Sequence, residues 1–234
     1  MCTVTYFKRK NGLVLTSSRD EKAERALATT VSTEQWGGFD LIYPIDPKGL
    51  GTWLCYRSDQ KALVLLNGGY EKHFPVPPYR MSRGLIVLEL IKTIDFIEAW
   101  RVIDLNNIEP FTIIAVWNEQ LIKVLWDGQT KHLQNLSSDK PHIWSSVTLY
   151  DAETRMLREK WYTDFLSELE MTPSSSDLFT FHRTAGEGDL HNGLRISRDD
   201  LMLTKNITQI EMTNAHTTMH HSDLMIEKTS IVSI

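Results

Sequence analysis

An α+β protein with mainly antiparallel sheets is what the sequence predicts, and three observations carry that expectation. Short β-rich runs recur in pairs around turn residues, as in Thr3 to Lys8 and Leu13 to Arg19 joined by Lys10-Asn11-Gly12, and Asn-Gly between two such runs marks a hairpin. Two blocks with helical patterning interrupt the strands. The third observation is size: 234 residues, 41% hydrophobic and without a long polar tract, suffice for one large core. One domain spanning residues 1–234 is expected, with no internal repeats.

The first hairpin brings Cys2 and Arg19-Asp20 to the same end. Glu21 to Ala28 follows as either a loop or a short helical turn. Thr52 to Arg57 and Ala62 to Leu66 form a second strand pair around Ser58-Asp59-Gln60-Lys61, ending in Asn67-Gly68-Gly69, where glycine permits positive φ and close backbone approach. Pro75 to Pro78 break regular structure. Ser82 to Ile91 reads as a helix, and Asp95-x-x-Glu98 as a capping box that starts another to about Ile103. Phe111 to Trp117 and Leu121 to Trp126 repeat the hairpin rhythm around Asn118-Glu119-Gln120. Lys131 to Leu136 adds an edge, and Ile143 to Leu149 is a further strand. Between Asp151 and Glu170 the repeat Leu157, Trp161, Phe165, Leu169 predicts an amphipathic helix, which Thr172-Pro173-Ser174-Ser175-Ser176 stops. Leu178 to Phe181 is a short segment, while Leu201 to Met212 and Leu224 to Val232 read as closing strands.

A net charge of -5 offers no general attraction for nucleic acid or anionic lipid. No segment has the apolar length of a membrane span, and Val4 to Phe7 is too short for a signal-peptide core. With Cys2 and Cys55 as the two cysteines, a disulfide framework is not expected, and a reducing, cytoplasmic setting is.

Chemistry concentrates at Met1-Cys2. A cysteine directly behind the initiator methionine becomes the first residue once Met1 is removed, and then carries a thiol and a titratable amine on one carbon. The amine's reference pKa of about 7.7–8.0 lets it accept a proton near neutrality, so the residue holds nucleophile and base together. Arg19 would favour the thiolate and Asp20 would orient the ammonium. Adjacent strand residues face opposite sides, so both serve Cys2 only through a bend or bulge. His216, His220 and His221 form no helical metal face, and no metal site is expected.

Cys2 with Ser18-Arg19-Asp20-Glu21 resembles the NRDE family, the transport and Golgi organisation protein 2 group, whose block normally reads Asn-Arg-Asp-Glu. Gly49-Leu50-Gly51-Thr52-Trp53-Leu54, Leu66-Asn67-Gly68-Gly69-Tyr70 and Tyr79-Arg80-Met81-Ser82-Arg83-Gly84-Leu85 agree in order. That family is similar to the N-terminal-nucleophile hydrolases of the bile-salt hydrolase and penicillin V acylase branch. The resemblance implies a four-layer αββα sandwich. It also implies a cysteine hydrolase-like protein acting on a small non-peptide amide or ester, with Cys2, Arg19, Asp20 and Asn67 as its catalytic set and Asn67 donating to the oxyanion. Ser18, Tyr70, Arg83, Ser146 and Lys205 would line the ligand. Ser18 stands where the family block has asparagine, Ser146 where the branch would have a second asparagine, and Lys205 near an expected arginine. The alternative is a non-catalytic carrier of a lipid metabolite or of haem, since the family is linked to haem trafficking. No cofactor is required on either reading, and a small molecule is the expected partner. For haem, His73, Cys55, the C-terminal histidines or a methionine could supply an axial ligand.

Overall fold

The computed structural model describes residues 2–28 and 30–233. Its chain divides into two compact units. One joins Met1–Thr29 to Asp139–Ile234, and the other is the continuous Thr30–Ser138. Each unit contains one antiparallel sheet and a pair of helices.

In the discontinuous unit, β1 (Cys2–Arg9) and β2 (Gly12–Lys22) form the expected hairpin. Gly12 sits at φ +151°, and a Cβ there would lie 2.0 Å from the Met212 carbonyl oxygen, so the turn admits no side chain. β10 (His142–Ser145) pairs with the outer side of β1. β12 (Met202–Thr213) pairs with β2, followed outward by β13 (Thr217–Asp223) and β14 (Lys228–Ser233), with the short β11 (Ser197–Arg198) beside β12. Helices α3 (Ala152–Glu168) and α4 (Ser175–Thr184) cover one face. Val14, Tyr162, Leu178, Phe181 and Leu194 form the apolar core there.

The continuous unit is a meander of β3 (Val31–Trp36), β4 (Phe39–Pro44), β5 (Leu54–Arg57), β6 (Lys61–Asn67), β7 (Phe111–Trp117), β8 (Gln120–Trp126) and β9 (Lys131–Leu136). Helix α1 (Arg83–Ile91) packs on β5 and β6, and α2 (Phe96–Val102) sets Phe96 against Trp117 and Trp100 edge-on to Phe111. Ser82 and Asp95 cap the two helices as expected. Gly84 lies on the lead-in to β5: Thr52 N–H donates to its carbonyl at 3.2 Å, and a Cβ on Gly84 would stand 2.8 Å from Thr52 backbone atoms. That contact explains why two glycine-bearing segments far apart in sequence belong together. Gly84→Ala should lower stability by about 1–3 kcal/mol through overpacking, seen as a lower melting temperature; an unchanged melt would show that the close approach is slack.

The strand expected from Leu224 starts only at Lys228, after a turn, and three further departures from the sequence reading concern whole elements. β3 and β4 form a hairpin through Gly37-Gly38 where no element was expected. Residues expected to end a helix begin one instead, because Ser174 and Asp177 cap each other's backbone N–H groups at the start of α4. Thr217–Asp223 is a strand, β13, although it lacks apolar alternation, because of its buried side chains only Met219 is apolar. Among the described residues no helix is long and apolar enough to cross a membrane.

Candidate active site

Cys2 opens β1 and is 3% exposed. Its register partner is Arg19 on β2, Arg19 pairs with Asn206 on β12, and Asn206 with Asp223 on β13. Paired residues share a face and alternate residues return to it. Cys2, Ser17, Arg19, Asn206, Thr208, His221 and Asp223 therefore occupy the sheet face away from α3 and α4. Burial pushes the Cys2 thiol pKa up and nearby Asp20 adds to that, while the N-terminal charge, Arg19 and the Ser17 hydroxyl act in the opposite direction. Ser146 joins this corner through its backbone, whose N–H donates to the Cys2 carbonyl at 2.9 Å; its Oγ lies 2.9 Å from Thr148 Oγ1.

Asp20 faces the helices. Tyr150 Oη donates to its Oδ2 at 2.5 Å and Thr204 Oγ1 to its Oδ1 at 2.6 Å. Burial raises the Asp20 pKa, against the guanidinium of Arg158 and these two hydrogen bonds. Arg158 lies 3.6 Å over the Tyr150 ring and donates to Thr3 Oγ1, to the Asn192 carbonyl at 2.9 Å and to the Gly193 carbonyl at 2.5 Å. Ser18 shares this face, its Oγ 2.7 Å from His182 Nδ1; His182 Nε2 meets Thr5 Oγ1 at 2.8 Å. The layer between sheet and helices is thus polar at the Cys2 end and apolar at the other.

A bulge accompanies the Arg19-Asp20 pair, but it lies on β12. Thr204 pairs with Asp20 and Asn206 with Arg19, leaving Lys205 as the extra residue. Lys205 Nζ donates to the Ala23 and Arg25 carbonyls at 2.7 and 2.5 Å, and so fastens the segment that leaves β2. Arg19 and Asp20 remain on opposite faces, with Arg19 on that of Cys2 and Asp20 beneath it. Met1, whose removal the chemistry requires, lies outside the described residues.

The remaining expected residues belong to the continuous unit. Asn67 ends β6, followed by Gly68 at φ +94°, whose N–H donates to the Pro110 carbonyl at 3.0 Å. Arg83 donates to the same carbonyl at 3.0 Å and pairs with Glu109 at 2.9 Å, which His73 also contacts at 3.1 Å. Tyr70 is 57% exposed and stands edge-on to His132.

Sequence reasoning passed over Tyr150, Arg158, His182, Thr204, Asn206 and Asp223. Among the described residues no group of three or more His, Cys, Asp or Glu is placed to hold a metal ion. Of the residues considered as haem ligands, Cys55 is fully buried, and His221 uses both ring nitrogens, on Thr208 Oγ1 at 2.9 Å and the Ala28 carbonyl at 2.5 Å.

Solved structures with this architecture define its class. A conjugated bile acid hydrolase from Clostridium perfringens, solved with a cysteine-to-alanine substitution, superposes with a TM-score of 0.62 at 7% identity, covering 100% of this chain and 92% of that one. The Caenorhabditis elegans orthologue of N-acylethanolamine-hydrolyzing acid amidase gives 0.60 at 12% identity, over 89% and 92%. An arginine-to-leucine variant of the bile acid hydrolase gives 0.54 at 8%, over 99% and 92%. The chain has the α+β fold of the N-terminal-nucleophile hydrolases. No match was found among curated protein sequences. The family model for Transport and Golgi organisation 2 matches residues 1–229, and the chain belongs to that family.

Proposed function

We propose that this protein is a cysteine N-terminal-nucleophile hydrolase-like enzyme that cleaves a small non-peptide amide or ester. The observation that carries the reading is Cys2 at the first position of β1, directly across from Arg19 and beside the Ser17 hydroxyl. Two of the structurally similar proteins are, by name, a conjugated bile acid hydrolase and an N-acylethanolamine-hydrolyzing amidase, which favours amide chemistry of this kind.

A thiol whose pKa burial has raised needs a base. In the mature chain the Cys2 amine takes the thiol proton, Sγ attacks the carbonyl carbon, and the resulting ammonium returns its proton to the leaving amine as the C–N bond breaks. Water, deprotonated by the same amine, then releases the acid and regenerates the thiol. Arg19 favours the thiolate from the face of the sheet it shares with Cys2, while Asp20 is held on the other face by Tyr150 and Thr204. For the oxyanion the family resemblance proposes the Asn67 amide, and Asn67→Ala should then slow acylation about 10²- to 10³-fold.

The test is intact-mass spectrometry of protein made in cells, before and after incubation with an electrophilic amide or lactam probe. Loss of the Met1 mass and one acyl adduct mapped to Cys2 are expected, with no adduct in Cys2→Ala. Retention of Met1, or an adduct on Cys55 alone, would sink the proposal.

A further inference from the structure

On the Cys2 face of the sheet, two buried polar atoms, Asn206 Oδ1 and Asp223 Oδ2, have no hydrogen-bond partner in the protein, and Ser17 Oγ has the Cys2 thiol alone. Their residues are at most 1% exposed. An unpaired buried polar atom is costly, so two side by side weigh heavily against the marginal net stability of a folded chain. They are not scattered. Asn206 and Asp223 continue the row that begins Cys2, Arg19, and Ser17 lies one pair along beside Thr208 and His221.

The rest of each group is already held. Asn206 Nδ2 donates to the Ala28 carbonyl at 3.4 Å, which fixes the amide with its oxygen outward. Asp223 Oδ1 accepts from Met225 N–H at 2.9 Å, leaving Oδ2. His221 next to them is neutral, because burial lowers its pKa and both ring nitrogens are engaged. The row thus presents two oriented acceptors, one of them a carboxylate, and a hydroxyl that can donate or accept.

We propose that Asn206 and Asp223, with Ser17, recognise the polar end of the molecule that Cys2 attacks, and that this molecule is an amide bearing a hydrogen-bond donor, best a primary ammonium. Strands lie about 4.8 Å apart, which places the two acceptors roughly 10 and 14 Å along the row from Cys2. An extended chain of about eight bonds between carbonyl and amine spans the shorter distance. A hydrocarbon end of equal length would leave both acceptors unpaired. The inference rests on the proposed hydrolase reading for the role of Cys2, but its binding component can be measured apart from turnover.

Cys2→Ala protein should be titrated calorimetrically with an ω-amino-octanamide and its ω-methyl counterpart. The ammonium ligand is expected to bind at least about tenfold more tightly. In the Asp223→Asn and Asn206→Leu backgrounds that ratio should fall below about threefold. Asn206→Asp, which keeps the size and adds charge, should widen the ratio and provides a second reading if Asp223→Asn does not fold. Equal binding of the two ligands, absence of binding by both, or a ratio untouched by these variants would overturn the proposal. A preserved ratio in Cys2→Ala together with unacylated wild-type Cys2 would instead leave the recognition row standing and remove the hydrolase reading.

Discussion

Arg158→Met is expected to destabilise the protein by about 3–5 kcal/mol, the usual effect of removing one member of a buried charged cluster. The Arg158 side chain is fully buried, stacks on Tyr150 and donates to Thr3 Oγ1 and to the Asn192 and Gly193 carbonyls. Methionine fills much of the same volume without a donor. It would remove the side-chain donor from the Asn192 and Gly193 carbonyls, leave Thr3 Oγ1 with Ser145 Oγ alone, and remove the cation that opposes the burial-raised pKa of Asp20. The denaturant midpoint in urea, followed by tryptophan fluorescence, reads the loss. Tyr150→Phe keeps the ring beneath the guanidinium and deletes the hydroxyl that donates to Asp20 at 2.5 Å and also meets Arg158, so a loss of about 1–3 kcal/mol is expected. If Arg158→Met costs less than about 1 kcal/mol, the cluster does not hold the Cys2 end of the sheet.

Stability should also fall steeply on acidification because of His182. Burial pushes its pKa down from 6.5 to about 3, with Arg158 adding to the effect. The folded pKa lies below the unfolded one, so as pH falls the unfolded chain takes up the proton first. The contribution of His182 is therefore complete above about pH 6.5 and is lost progressively down to about pH 3, on the order of 4–5 kcal/mol in all. His221 is shifted the same way. Asp20 acts in the opposite sense, since its raised pKa means the folded state binds that proton more readily than the unfolded chain. The comparison that isolates His182 is the difference between wild type and His182→Gln. Urea midpoints measured between pH 7 and pH 4 should converge, the variant being weaker at pH 7 but flatter across the range. Parallel profiles would show that folding does not depress the His182 pKa.

Local chemistry made some of these residues legible. Asn11-Gly12 predicted the hairpin, the hairpin placed Cys2 at the level of Arg19, and Ser82 and Asp95 announced α1 and α2. The supporting residues were hidden for a physical reason: their burial depends on partners far away in sequence. Thr204 meets Asp20 across 184 positions and His182 meets Thr5 across 177. Nothing nearby marks them as interior. Helix α3 shows the effect well. Its apolar repeat Leu157, Trp161, Phe165 suggested an inward stripe, yet the fully buried positions are Thr154, Arg158 and Tyr162, one residue around. β13 was missed for the related reason that His221 and Asp223 are polar and buried. The adjacency of Arg19 and Asp20 could be read correctly as a face problem. The fold resolves it by giving each residue its own side of the sheet.

The discontinuity of the first unit sets an order of assembly. Residues 30–138 form a continuous stretch whose strands pair only with one another. The β1–β2 hairpin acquires neither lateral neighbour until His142 and Met202 have been made. Until then its two edges lack their final hydrogen-bond partners. The residue on which the proposed chemistry depends thus sits on a hairpin whose two flanking strands both come from the far side of the inserted unit.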